Sequence, residues 1–144
     1  MFLGEYQHSL DDKNRLVLPR KFRDEFQKGC IVTLGQEHCL YVFSIDQWGD
    51  EMARVRRLPR TDRRARNYTR SFFGGASEQS PDKQGRIQLG PKQMGYAGLE
   101  KDVTVVGVAD RVEIWSTTAW ETVAAEADEY FSNIEEVLSD GEGI

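Results

Sequence analysis

The chain carries one pattern twice, and this duplication limits its possible folds more than any other feature. Asp11-Asp12-Lys13-Asn14-Arg15-Leu16-Val17-Leu18-Pro19 returns 71 residues later as Asp82-Lys83-Gln84-Gly85-Arg86-Ile87-Gln88-Leu89-Gly90-Pro91, with one extra residue before the second proline. Aspartate, then Asn or Gly three residues on, then arginine, two alternating apolar residues and a proline all correspond. The match continues at an offset of 72, where Ile31 to Gly35 answers Val103 to Gly107 and Leu40 to Trp48 answers Val112 to Trp120. Gly35, Ser44 and Trp48 therefore pair with Gly107, Ser116 and Trp120. One copy, of about 45 residues, would struggle to bury a core alone. Two copies can pack about a pseudo-two-fold axis. The expected fold is α+β: two tandem β-hairpin/helix repeats that form a small pseudo-two-fold β-barrel, with flanking helices.

Local patterning assigns the elements. Tyr6, His8 and Leu10 alternate as a strand, and Leu16 with Leu18, or Ile87 with Leu89, resume that alternation beyond each turn. Pro19 can open a short helix, Phe22 and Phe26 share one face of it, and Gly29 can end it. Ser44 reads as an N-cap, with Gln47 completing a capping box and Phe43 stapling onto Trp48; Trp115 can pack on Trp120 in the same way. Ile45, Trp48, Met52 and Val55 have helical spacing up to the break at Pro59. Ala65, Tyr68 and Phe72 mark a second helix ended by Gly74-Gly75. From Trp120 onward Val123, Ala124, Ala127, Phe131 and Ile134 predict a third amphipathic helix, with Asp140 to Ile144 frayed.

Composition restricts the class further. No apolar run approaches the roughly 20 residues of a membrane span, and Met1 to Gly4 is too short for a signal peptide, so a cytoplasmic protein is expected. The net charge of −5 argues against a nucleic-acid partner until its distribution is considered. Glu121 to Ile144 holds eight acids and no Lys or Arg, which leaves the rest with 19 basic and 16 acidic residues. A mildly basic body with an acidic tail is compatible with binding nucleic acid. Cys30 and Cys39 lie among apolar residues and read as buried free thiols. His38 beside Cys39 does not make a metal site, because the spacing is unsuited to zinc and ligands are missing. No phosphate-binding glycine loop, Gly-x-Ser-x-Gly or His-Glu-x-x-His pattern occurs, and the Gly-Ser pair of self-processing decarboxylases is absent. His8 and His38 fall in strand patterns. Neither an enzyme nor a cofactor or small-molecule substrate is expected.

The duplicated turn is the leading chemical candidate. Asp11 and Asp82 can accept hydrogen bonds from amides ahead of them. Gly85 suits a positive φ, and Asn14 is the next best residue for it. Arg15 and Arg86 then follow each tip, with Lys13 and Lys83 beside them. One such turn alone is a commonplace hairpin with a local ion pair. Two arginine tips on one face would suit phosphate contact and bidentate reading of guanine in a major groove, which β-ribbons can enter. A second basic stretch, Arg54, Arg56, Arg57, Arg60, Arg63, Arg64, Arg66 and Arg70, is opposed only by Asp62. It is readable as a phosphate-tracking surface, as a pairing surface for an acidic neighbouring subunit, or as a solvated helix pair.

At these residues the chain resembles the MraZ family of bacterial regulators, built from two SpoVT-AbrB-type domains. The resemblance covers nearly the whole chain. It rests on Met1 to Gly4, Leu10 to Pro19, the block Arg66-x-x-x-Arg70-x-Phe-Phe-x-Gly-Ala-x-Glu78, the segment Ala97 to Gly107, and Glu113-Ile-Trp115 with Trp120. The fit is closest to actinobacterial members. It implies a transcriptional regulator that binds short direct repeats upstream of a division and cell-wall gene cluster, represses or tunes that cluster, and forms ring-shaped homo-oligomers. It implies that Asp11 and Arg15, with Asp82 and Arg86, form the DNA-binding motif. Asn14 departs from the glycine usual in the first turn; Asn tolerates the left-handed region, so the turn is expected to survive.

The expected organisation is one repeat over 5–47, a basic helical linker over 48–75, a second repeat over 76–119, and an acidic helix and tail over 120–144. Lys13, Arg15, Lys83 and Arg86 are the expected DNA contacts, with Asp11, Asn14, Asp82 and Gly85 shaping the turns. Arg66 and Arg70 are possible secondary contacts to DNA or to a subunit. The expected partners are double-stranded promoter DNA and further copies of the chain, in a cytoplasmic, nucleoid-associated setting. Two rival readings are an antitoxin-like protein that neutralises a partner through the acidic tail, and a ring-forming scaffold without sequence-specific binding.

Overall fold

The computed structural model describes residues 1–134. Its elements are strands β1 (Phe2–Ser9), β2 (Arg15–Val17), β3 (Cys30–Leu34), β4 (Leu40–Ser44), β5 (Ser77–Gln79), β6 (Arg86–Gln88), β7 (Asp102–Ala109) and β8 (Val112–Ser116). The helices are α1 (Ile45–Arg56), α2 (Arg63–Gly74), α3 (Pro91–Tyr96) and α4 (Thr117–Ser132), with a 3-10 helix over Arg20–Phe26. Six strands form one antiparallel sheet in the order β1-β7-β8-β4-β3-β5, and β2 with β6 forms a separate two-stranded ribbon.

This order is the duplication made spatial. Advancing one repeat takes β1 to β5, β2 to β6, β3 to β7 and β4 to β8. The pairing of β1 with β7 then answers that of β5 with β3, and the β4–β8 and β2–β6 pairs each answer themselves. A pseudo-dyad therefore passes between β4 and β8 at the Tyr41–Glu113 pair, and through the ribbon at the Leu16–Ile87 pair. The repeats interlock: every cross-repeat pairing is a ladder that neither copy could make alone. The α+β class and the two interlocked repeats match the expectation. Hydrogen bonding does not close the sheet into a barrel among the described residues, since β1 and β5 are its two ends.

Strand alternation sorts side chains between two apolar layers. On one face Val32, Leu40, Val42, Val103, Val105, Val112 and Ile114 meet Leu16, Leu18, Ile87 and Leu89 of the ribbon, with Phe22 and Phe26 of the 3-10 helix. Phe2 stacks on Phe26 at a centroid distance of 4.9 Å and meets Phe22 edge-on at 5.2 Å. On the other face Tyr41, Phe43 and Trp115 meet Val55 and Phe72, with Trp48, Tyr68 and Trp120 packed around them. Trp48 stacks on Phe72 at 5.3 Å, which joins α1 to α2. The ribbon and the helical linker consequently lie on opposite faces of the sheet.

The repeat-equivalent glycines have a common cause. A Cβ on Gly35 would stand 2.6 Å from the Tyr41 ring, and one on Gly107 would stand 2.5 Å from the Leu3 backbone nitrogen. Both are close-approach positions that a side chain would force apart.

Caps mostly follow the expectation, with two corrections. Ser44 Oγ accepts from the Gln47 amide at 3.2 Å, but no return bond from the Gln47 side chain is present. The reciprocal side-chain bond occurs instead at Gly90, whose N–H donates to Gln93 Oε1 at 3.0 Å. The third long helix begins at Thr117 rather than Trp120, because Ser116 Oγ accepts from the Ala119 amide at 3.1 Å. The staples hold, at 5.8 Å for Phe43–Trp48 and 5.7 Å for Trp115–Trp120. Asp140 to Ile144, expected to fray, lies outside the described residues.

Gln93, not singled out by the sequence, is a buried polar tie. Its Nε2 donates to the carbonyls of Val32 and Gly75, each at 3.1 Å, and to Ser77 Oγ at 3.2 Å. It thereby joins α3, β3, the end of α2 and β5. Gln93→Ala removes the donor and leaves buried acceptors short of a partner, an expected loss of about 1–3 kcal/mol. Urea unfolding should show a lower midpoint at unchanged slope.

Candidate nucleic-acid interface

Both tips are built by one carboxylate each. Asp11 Oδ1 accepts from the amides of Lys13 at 2.9 Å and Arg15 at 2.8 Å, while Oδ2 accepts from Arg15 Nε at 2.7 Å. Asp82 Oδ1 accepts from the amides of Gln84 and Arg86, each at 2.9 Å, and Oδ2 from Arg86 Nε at 2.7 Å. Asn14 at φ 58° and Gly85 at φ 77° both occupy the left-handed region. Asn14 therefore replaces glycine without changing the turn, since its short polar side chain tolerates this region.

The tips are adjacent. Arg15 stands opposite Gln88, and Arg86 opposite Val17. Two reciprocal bonds, from the Leu18 amide to Gly85 O at 2.8 Å and from the Leu89 amide to Asn14 O at 3.1 Å, extend the ladder toward both tips. Arg15 and Arg86 are diagonal neighbours on the face opposite the buried Leu16 and Ile87. Such diagonals are spaced roughly 7–8 Å. Each guanidinium spends Nε on its own aspartate, and neither Nη1 nor Nη2 makes a hydrogen bond among the described residues. The result is a pair of oriented cationic forks on one exposed ribbon. Their side chains are 29% and 26% exposed, so they are held rather than waving.

The amide bonds donated by Arg15 and Arg86, more than the guanidinium contacts, hold the Asp11 and Asp82 carboxyls below the usual carboxylate range. A depressed folded value means the ionised turn is complete at neutral pH, persists down to the ordinary aspartate value, and is lost as pH falls through the folded value. The amide resonances of Arg15 and Arg86 should accordingly titrate with midpoints below the ~3.9 of a free aspartate. Midpoints at or above it would contradict the turn geometry.

Lys13 and Lys83 are exposed at the two tips. Arg23 is a further cation at the second tip that sequence reasoning missed. It comes from the 3-10 helix of the first repeat, and its Nε donates to Leu18 O at 3.3 Å. A Cβ on Gly85 would lie 2.5 Å from Arg23 Nε, so glycine there serves both the positive φ and this packing. The corresponding positions of the second repeat are Met94 and Gly95, so the first tip has no equivalent. Burial and the Arg23 charge lower the pKa of His8, which favours its neutral form.

Arg66 and Arg70 are not brought to this ribbon. They lie on α2, across the sheet, where Arg66 Nη1 donates to Arg60 O at 2.8 Å and Arg70 Nη1 to Asn67 Oδ1 at 3.2 Å. With Arg60 they line a pocket of about 230 Å³ shared with Leu58, Pro59, Ala65 and Thr69. Cys30 and Cys39 are buried and unpaired, and burial pushes the Cys30 thiol up to about 12. Among the described residues no cluster of three metal-ligating side chains occurs, and no helix is long and apolar enough to cross a membrane.

Fold and site together define a two-repeat protein that displays paired Asp–Arg turns on an interlocked pseudo-symmetric frame. Residues 1–71 and 72–140 each match the family model described as "MraZ protein, putative antitoxin-like". The chain belongs to the MraZ family. It is 45% identical to the transcriptional regulator MraZ of Leifsonia xyli subsp. xyli, over 98% of this chain and 99% of that protein. It is 46% identical to the protein of the same name from Micrococcus luteus, with the same coverage. The Lactobacillus delbrueckii subsp. bulgaricus protein of that name is 43% identical over 97% of this chain and 98% of its own length.

Proposed function

We propose that this chain is a DNA-binding transcriptional regulator, not an enzyme, that reads promoter direct repeats through its two Asp-x-x-x-Arg turns and represses a division and cell-wall gene cluster. One observation carries the reading: Arg15 and Arg86, 71 residues apart in sequence, stand as diagonal neighbours on one exposed ribbon. Lys13, Lys83 and Arg23 add positive charge around them. Nη groups that make no hydrogen bond among the described residues suit phosphate oxygens and the O6/N7 edge of guanine. The names of the relatives support the regulatory role. The protein would act in the cytoplasm, on the nucleoid.

Self-association into a ring belongs to the same reading, and a second surface favours it. Tyr130 and Phe131 at the end of α4 are 72% and 82% exposed, beside Glu126, Asp128 and Glu129. The Arg60–Arg66–Arg70 pocket has the complementary character, since its lining combines these three cations with Leu58, Pro59 and Ala65. Docking of one copy's α4 on the next copy's pocket is a head-to-tail contact, which closes into a ring when the rotation allows. Several ribbons would then engage repeated DNA sites with avidity.

The test is titration of DNA from upstream of the chain's own gene at several salt concentrations, followed by gel shift. Specific binding should exceed binding to scrambled DNA, and log affinity should fall steeply with log salt. A flat salt response or equal binding to scrambled DNA would sink the proposal. An antitoxin-like role would instead show as a tight complex with a small co-purifying protein and no upstream shift.

A further inference from the structure

The outward face of the ribbon carries four side chains, and the pseudo-dyad keeps only half of them alike. It exchanges Arg15 with Arg86, which preserves the cations. It exchanges Val17 with Gln88, which sets an isopropyl group against an amide. The amide is tightly held. Gln88 Nε2 donates to Lys13 O at 2.6 Å, with Leu89 O at 3.2 Å and Asn14 O at 3.4 Å. All three neighbours are carbonyl acceptors, so the nitrogen must face them and the amide orientation is determined. The Gln88 backbone is fixed as well: its N–H donates to Gln79 Oε1 at 2.7 Å, and its carbonyl accepts from Gln79 Nε2 at 2.8 Å. The side chain therefore ties the first tip to the second repeat. Its Oε1 makes no hydrogen bond among the described residues, and the residue is exposed directly opposite Arg15.

We propose that Gln88 is a positioning and specificity-determining residue, with Nε2 clamping the Lys13 tip and Oε1 accepting from an exocyclic amine of a base. This rests on the DNA-binding reading above. In a major groove the amine donors are adenine N6 and cytosine N4, whereas guanine and thymine present oxygen acceptors at the corresponding edge. The base beside the one engaged by Arg15 is accordingly adenine or cytosine. At the other end Val17 stands beside Arg86 and offers no hydrogen bond, only an apolar contact such as a thymine methyl would take. A ribbon that is pseudo-two-fold in backbone is thus directional in its chemistry.

The experiment uses the full chain and single-atom changes in the DNA. Along the upstream element, each adenine is replaced in turn by purine and each cytosine by 2-pyrimidinone, which removes the amine alone, and binding is followed by fluorescence anisotropy. Wild type should lose about tenfold in affinity at one position per element, the effect of one good base contact. Gln88→Met, which keeps length but not the amide, should bind more weakly and be indifferent to the amine at that position. Wild-type binding that is unaffected by every amine deletion overturns the proposal, and so does a Gln88→Met protein that still loses tenfold at the same position. A silent wild-type scan overturns the proposal even if Gln88→Met fails to fold, and Gln88→Leu is the second variant that assigns a loss to this residue, since each amine also takes part in base pairing. Loss of specific binding in the double variant Arg15→Ala, Arg86→Ala alongside a silent amine scan would remove the Gln88 role and leave the ribbon as the DNA contact. A double variant that binds like wild type would remove both.

Discussion

Replacing Arg15 and Arg86 together by alanine is expected to weaken binding to the upstream DNA by on the order of a thousandfold. Each guanidinium has its Nε committed to an aspartate, and its Nη groups make no hydrogen bond among the described residues. Each fork thus arrives oriented, and a good bidentate base contact contributes roughly 1–3 kcal/mol of discrimination. Two such contacts give about 4 kcal/mol, and 1.4 kcal/mol corresponds to a factor of ten. Residual binding should no longer distinguish the element from scrambled DNA. Lysine at both positions preserves charge but not the planar fork, so it should restore salt-dependent binding without restoring base preference. A loss of less than threefold in the alanine double variant would show that the ribbon is not the DNA contact. Thermal unfolding of the same variants checks that both turns survive, since the Asp11 and Asp82 carboxylates keep their amide bonds without the guanidinium.

The largest effect on folding is expected at Phe26. It is fully buried, stacks on Phe2, and anchors the 3-10 helix beneath the ribbon. Truncating a core phenylalanine to alanine costs about 3–5 kcal/mol, the transfer term plus the cavity left behind. Domains of this kind have a net stability of only about 5–15 kcal/mol. Phe26→Ala should therefore bring the unfolding midpoint down sharply, measured by denaturant titration. Arg23 rides on the same helix and packs over Gly85. The variant should consequently also broaden the amide resonances of the second tip more than those of the first. Equal effects on both tips would contradict the one-sided placement of Arg23.

The helical linker places the densest charge of the chain on the side of the sheet away from the proposed DNA contact. Eight arginines between Arg54 and Arg70 form the most basic stretch of the chain. Their helices bury Val55 and Phe72 against the sheet face opposite the ribbon. That placement follows from strand alternation: Tyr41, Phe43 and Trp115 project one way, and Leu40, Val42 and Ile114 the other.

The division between sequence and structure is clear in the Asp-x-x-x-Arg turns with which the chain is patterned. The turns themselves were legible, although the missing Gln47 return bond and the start of α4 at Thr117 were not. The aspartate, the residue with positive φ and the following arginine lie within five positions, and one carboxylate satisfies the turn by bonds to its immediate neighbours. Helix limits at Pro59 and Gly74-Gly75, the N-cap at Ser44 and the aromatic staples were legible for the same reason. What the residues alone left undecided was where the two copies meet. The facing of β2 and β6, the diagonal placement of Arg15 and Arg86, the reach of Arg23 to the second tip and the Gln88 clamp on Lys13 all join residues 60 or more positions apart. No periodicity encodes such contacts. They arise because each repeat has too little apolar surface to bury a core alone, so the two interlock. That interlocking converts two commonplace turns into one ribbon.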